Sequence, residues 1–268
     1  MPEQEDYKAV NRSLWNTQTD VHIHSAMYDV AGFLQGRSTL KPIELGLLGN
    51  LSGQSVLHLQ CHFGMDTLSL LGAGAQHVTG IDLADQAIAK ANELAQQLHL
   101  ADRANFVCTD LYSLPDHLAG QFDVVFTSYG VISWLPDLAR WAQVVKHFLK
   151  PGGRFVMVEF HPVLWLLDDD DQSIRYPYFN KGVIELDEEV SYADRETKFQ
   201  ERSHNWNHSL ADVIGNLLDQ GLTMSHFQEY DYSPYNCFTN MIEPAPGQFQ
   251  FKKYPGIIPM LFSLVAEG

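Results

Sequence analysis

The feature that most constrains this chain is a rhythm between residues 55 and 161, where short apolar runs alternate with longer segments of helical period. Strand patterns lie at 55–60, 77–83, 105–110, 122–128 and 154–161. A helix pattern at 65–71 follows the first strand. Another fills 85–99, where Ile88, Ala91, Leu94, Ala95 and Leu98 fall on one face. The run "FDVVFTS" is apolar almost throughout, as a strand covered on both faces requires. Leu138, Trp141, Val145 and Phe148 mark a further helix face that stops at "KPGG". Parallel strands need long crossovers, and helices are the usual ones, so this alternation predicts an α/β protein with a doubly wound parallel sheet.

The flanks break the rhythm. Residues 1–50 read as a helical cap leading into the sheet, and 162–202 as an insertion or substrate lid within one domain. That insertion holds Asp168–Asp171, the aromatics Tyr176, Tyr178 and Phe179, and a strand-like "GVIELDEEVSYA". A helix resumes after Ser209, whose hydroxyl has Asp212 three residues on as capping partner. Two closing strands follow, near 224–232 and 259–266.

In an open α/β sheet the ligand lies beyond the carboxyl ends of the strands, where strand order reverses. Three consecutive strand ends carry suitable chemistry here. The first runs into "LQCHFG". The second ends in Asp82, an acceptor for both hydroxyls of a ribose. The third ends in Asp110, placed to meet an adenine amino group. A dinucleotide loop would need G-x-G-x-x-G to close backbone N–H groups on a pyrophosphate. That spacing is missing, which disfavours NAD. A cofactor with an adenosine and no phosphate, S-adenosylmethionine, fits the pattern better.

In order, "VLHLQCHFG", "GIDLA", "CTDLY", "FDVVFTSYGVISWLPDL", "LKPGGRF" and "VEFHP" resemble the motifs of class I S-adenosylmethionine-dependent methyltransferases, most of all a bacterial subgroup whose first motif reads L-Q-C-H-F-G. The resemblance covers about 50–165. It implies a seven-stranded, mostly parallel sheet whose last strand is antiparallel. It also implies cofactor contacts at Gln60, Cys61, His62, Gly64, Asp82, Leu83, Asp110, Leu111, Ser128 and Tyr129, with Tyr28 of the cap as an addition. The chain departs from the commoner pattern at His58, where an acid is usual, and at Gln60 and His62, where glycines are usual. His62 in the turn is expected to be neutral when the cationic cofactor binds, with affinity falling as pH drops through the histidine range.

A general base is needed if the acceptor is a hydroxyl or an ammonium. Glu159 and His161 are two apart on one strand, so they share a face, and the expectation is His161 as base with Glu159 orienting it. His204 and His208 flank Trp206 but precede the late helix, and no metal is expected there. Tyr176, Tyr178, Phe179 and Trp206 could line an acceptor pocket or form the insertion's own core.

Seventeen Lys and Arg against 33 Asp and Glu give a formal charge of −16. Such a chain repels a phosphate backbone, so the expected partner is a small molecule and not nucleic acid. No apolar run has the length of a membrane span, the opening residues are acidic and unlike a signal peptide, and three scattered cysteines fit a reducing cytoplasm. The function expected is methyl transfer from S-adenosylmethionine to a small molecule. The alternatives are a regulatory protein that binds the cofactor without turnover and, more remotely, an NAD-dependent oxidoreductase.

Overall fold

A computed structural model describes residues 6–268; the acidic opening at 1–5 lies outside the described residues. Three helices come first: α1 (Tyr7–His24), α2 (Val30–Leu34) and α3 (Pro42–Leu48). The alternating body follows as β1 (Ser55–Leu59), α4 (Met65–Gly72), β2 (His77–Asp82), α5 (Asp85–Gln97), β3 (Ala104–Cys108), α6 (Leu114–His117), β4 (Phe122–Ser128), α7 (Leu138–Phe148) and β5 (Leu149–Phe160). A hairpin of β6 (Ile184–Val190) and β7 (Lys198–Asn205) precedes α8 (Leu210–Asp219) and β8 (Thr223–Tyr230). A second hairpin, β9 (Met241–Ala245) and β10 (Gln248–Phe251), precedes β11 (Leu261–Glu267).

Seven strands form one sheet in the order β3-β2-β1-β4-β5-β11-β8. The pairings from β3 to β5 are parallel, and β11 runs antiparallel to both β5 and β8. The doubly wound sheet with an antiparallel last strand is therefore present as the sequence implied. Strand order reverses between β1 and β4, so their carboxyl ends define the crevice.

Alternation along the strands sends Leu57, Leu59, Val125, Phe155, Met157, Phe262 and Leu264 into one core layer, shared with Trp141, Val145 and Phe148 of α7. Val56, Val78, Val124, Phe126 and Val156 fill the opposite layer, with Leu68 of α4 and Ile88, Ala91 and Leu94 of α5. Helix α8 starts as the sequence indicated, with Ser209 and Asp212 exchanging capping bonds. Among the described residues no helix is long and apolar enough to cross a membrane.

Three stretches differ from expectation, one of them the hairpin β9–β10, which the closing-strand pattern does not include. β5 begins at Leu149 and absorbs "KPGG" through a shift in its register against β4. Hairpin strand β7, "KFQERSHN", went unread because it lacks an apolar run; its exposed and half-buried residues alternate instead.

Candidate cofactor and acceptor site

The turn after β1 takes an unusual backbone path. Gln60, His62 and Gly64 all have positive φ, at 54°, 51° and 78°. Two non-glycine residues thus hold the left-handed conformation that glycine adopts freely, a strain of about 1–2 kcal/mol each that tends to collect at functional sites. Gly64 itself is obligatory. A Cβ there would stand 2.7 Å from the Phe106 ring and 2.9 Å from Ala91.

Asp82, at the end of β2, fixes this turn. One carboxylate oxygen accepts from the His62 N–H at 2.8 Å and the other from the Ala84 N–H at 2.9 Å. Burial pushes its pKa up, and these N–H donors hold it back in part. The free lone pairs can take hydroxyl donors. Cys61 is buried beneath the turn, donates its N–H to Ile81 and has its thiol pKa pushed well up by burial. Asp110 caps the 3-10 turn Leu111–Ser113 by accepting from Tyr112 N–H and pairs with Lys8 at 2.9 Å. Burial raises its pKa, but the Ser113 and Lys8 bonds outweigh that and leave it below the ordinary carboxylate range.

Helix α1 lies along these strand ends like a strap. Lys8 meets Asp110, Arg12 Nε donates to the Leu83 carbonyl at 3.3 Å, and Asn16 bonds Asp85 and Gln86. Trp15 packs edge-on to His62 with centroids 5.2 Å apart. Two turns further, His22 Nδ1 and His62 Nε2 share a hydrogen bond at 2.8 Å, and His22 Nε2 meets Ser191 Oγ. Burial depresses His22 to a pKa of about 3 and, with His22 beside it, drives His62 well below the ordinary histidine value. The fall in affinity expected through the ordinary histidine range is therefore moved to lower pH, because burial already keeps His62 neutral.

The exit of β4 forms the other wall. Ser128 Oγ lies 3.4 Å from both the Asp66 carboxylate and His58 Nε2, while His58 Nδ1 is 2.8 Å from Thr67 Oγ1. His58 is thus a strand histidine satisfied by hydroxyls, and burial lowers its pKa to about 3. Tyr129 has φ 41°, and its hydroxyl donates to Glu44 at 2.8 Å. Tyr28 of the cap bonds Tyr192, hydroxyl to hydroxyl, at 2.6 Å.

The proposed catalytic pair does not form. The buried Glu159 carboxylate accepts from Gly130 N–H, from Val131 N–H at 2.7 Å, from Ile132 N–H at 3.2 Å and from Phe160 N–H at 2.6 Å. It clamps the loop after β4 and does not reach His161. His161 Nε2 meets Glu229 of β8 at 2.9 Å, and its Nδ1 accepts from Val163 N–H at 3.1 Å. Both ring nitrogens are engaged, so the orienting acid is Glu229 and no nitrogen is left to receive a substrate proton in this arrangement.

Other expectations separate in space. Tyr178 accepts from Leu210 N–H at the start of α8, Phe179 is exposed, and Trp206 packs against Tyr7. His208 Nε2 bonds the Leu135 carbonyl, and among the described residues no group of three or more metal-ligating side chains is gathered. The acidic run stitches the insertion to the loop before the second hairpin, the Asp169 carboxylate accepting from Thr239 N–H and the Asp170 carbonyl from the Asn240 side chain. Sequence reasoning missed Lys41, Glu44, Asp66, Tyr192 and Tyr235. Asp66 lies in the first turn of α4, and Tyr192 just past β6 within the stretch "GVIELDEEVSYA".

The chemistry of the turn suits an adenosyl cofactor. Gln60 Oε1 and His62 Nδ1 are buried without a hydrogen-bond partner, and buried polar atoms of this kind call for one. Asp82 supplies acceptors of the type a ribose needs, and no glycine cradle for phosphates is present.

Residues 56–153 match the family described as Methyltransferase domain. Ubiquinone biosynthesis O-methyltransferase of Bordetella pertussis is 33% identical over 118 residues, 42% of this chain and 47% of that protein. The chain spans less than half the length of the curated relatives it matches first. A solved S-adenosylmethionine-dependent methyltransferase from Mesorhizobium loti superposes with TM-score 0.61 at 20% identity, covering 88% of this chain and all of the other. Magnesium protoporphyrin IX methyltransferase of Synechocystis PCC 6803, solved with bound SAH, gives TM-score 0.55 at 15% identity over 98% of this chain and 99% of that one. The chain shares their fold.

Proposed function

We propose that this protein transfers the methyl group of S-adenosylmethionine to a small molecule. One observation carries the reading: the left-handed turn at Gln60, His62 and Gly64, the carboxylate of Asp82 and that of Asp110 stand at three successive strand ends beside the switch point, under a single strap. The match of 56–153 to a methyltransferase domain supports it.

The cofactor supplies an activated methyl on a sulfonium, and the protein supplies position, dryness and charge. Asp82 takes the ribose hydroxyls. Asp110 and Leu111 border the adenine, beside Leu83. Gln60 and His62 offer their unpartnered atoms to the amino-acid tail, with Cys61 as floor. Tyr28, Ser128 and Tyr129 face the reacting end. Trp15 and α1 exclude water.

The acceptor is read as a small molecule because the chain carries −16 and the cap closes over the crevice. We read residues 1–50 as that cap and 162–202 as a lid on one methyltransferase domain of the L-Q-C-H-F-G subgroup. Its three cysteines, unpaired in the fold, suit a cytoplasmic enzyme.

Thermal-shift measurement with S-adenosylmethionine, S-adenosylhomocysteine and NAD tests the reading. Stabilisation by the two adenosyl compounds is expected, and a response to NAD alone overturns it. Asp82→Asn should cost tenfold or more in S-adenosylhomocysteine affinity. Label transfer from S-adenosylmethionine to a metabolite extract separates an enzyme from a regulatory binder, and transfer to tRNA instead would overturn the small-molecule acceptor.

A further inference from the structure

Beyond the β4 exit, two carboxylates and four tyrosines gather from five separate segments. Glu44 is fully buried, accepting from Lys41 N–H at 3.0 Å and from the Tyr129 hydroxyl. Asp66 is bonded by Thr39 and lies beside Ser128. Tyr129 and Tyr235 pack edge to face with centroids 5.1 Å apart, and Tyr28 and Tyr192 are joined through their hydroxyls. Ser128 beside Asp66 adjoins Tyr129 in the chain, and Tyr28 packs against Phe63, three residues before Asp66, with centroids 5.0 Å apart. These rings are half-buried, neither sealed in the core nor on the outer surface.

The charges in this box do not balance. Against two carboxylates stands one ammonium, Lys41, and the neighbouring His58 and His62 are held neutral by burial. Burial, only partly offset by hydrogen bonds, lifts Glu44 to a pKa of about 7 and raises Asp66 as well. A bound cation would relieve both.

One contact shows that these rings accept a cation. Lys41 Nζ rests over the Tyr235 ring at 4.7 Å, so a cation already uses one ring of the box.

We propose that the methyl acceptor is a small amine, held as an ammonium between Asp66 and Glu44 among the rings of Tyr28, Tyr129, Tyr192 and Tyr235. This rests on the methyltransferase reading above and names its substrate class. The ammonium gives one proton to Asp66, leaving a neutral nitrogen with a lone pair. That nitrogen attacks the methyl carbon; the N–C bond forms as the C–S bond breaks, and the bonding pair stays on sulfur. The products are a methylammonium and a neutral thioether, and the proton on Asp66 passes to solvent.

Calorimetry tests this with propylamine and benzylamine against propanol and benzyl alcohol, on the protein with and without S-adenosylhomocysteine. The amines should bind at least tenfold more tightly than the matched alcohols. Asp66→Asn should remove that preference while changing S-adenosylhomocysteine affinity less than threefold. Lys41→Met, at a half-buried position, should tighten amine binding at least threefold by removing the competing cation. Equal binding of amines and alcohols overturns the proposal. So does an Asp66→Asn variant that loses S-adenosylhomocysteine and keeps the amines, which would assign Asp66 to the cofactor's own ammonium. Failure of S-adenosylhomocysteine to bind, with amine binding intact, overturns the methyltransferase reading and leaves the amine box standing.

Discussion

Gly64 and His58 show how single residues set the limits of the site. At Gly64 a side chain would meet both a left-handed backbone and the Phe106 ring. Gly64→Ala should therefore destabilise the protein by about 3 kcal/mol, combining the two costs, as read from urea unfolding. His58 makes a pH prediction whose sign can be worked out. Its pKa is near 6.5 when unfolded and about 3 when folded. Above pH 6.5 both states are neutral and nothing is lost. Between 6.5 and 3 the unfolded chain binds a proton that the folded chain refuses, so stability falls by about 1.4 kcal/mol per pH unit. His22 adds a like slope. Glu44 opposes them between 4.5 and 7, because its folded carboxyl keeps a proton that the unfolded one releases. His58→Gln should flatten the slope below pH 6.5 by about one histidine's share. An unchanged slope would mean that His58 titrates normally in the fold.

At the scale of elements, α1 matters more than its sequence suggested. Its turns meet the ends of β3, β2 and β1 in succession through Lys8, Arg12 and His22. A ligand beneath it must hold the helix down. S-adenosylhomocysteine should accordingly slow amide exchange along α1 while leaving α7, on the far layer, unchanged. Lys8→Ala should cost less than about 1 kcal/mol of stability, since its ion pair with Asp110 is partly exposed. The elements of the body were legible because strand and helix periods are local properties. Helix α5 was placed by its apolar face and α8 by Ser209 with Asp212. Strand β7 and the hairpin β9–β10 were not, because their pairing comes from a neighbour in space and not from an apolar run.

Over the whole molecule the same division separates the two halves of the site. The half proposed for the cofactor could be placed from the sequence because Gln60, Asp82 and Asp110 lie at or just past the ends of β1, β2 and β3, and sheet topology fixes where such ends lie. The half proposed for the acceptor could not. Tyr192 lies in the first hairpin and Tyr235 in the loop after β8, and no spacing along the chain announces that they meet Tyr28 and Tyr129. The same limit separated Glu159 from His161: β5 ends at Phe160, between them, and their partners lie at Gly130–Ile132 and Glu229.

The clamp made by Glu159 also imposes an order of assembly. Gly130, Val131 and Ile132 direct their N–H groups to a carboxylate that is synthesised almost thirty residues later, 29 after Gly130. A nascent chain that has emerged only as far as β4 already carries Asp82 and Asp110, yet the loop bearing Tyr129 has nothing to fold around. β5 brings the carboxylate that this loop folds around. A half-made chain therefore holds Asp82 and Asp110 before the loop of Tyr129 is set, and Tyr192 and Tyr235 join later still, after the last parallel strand.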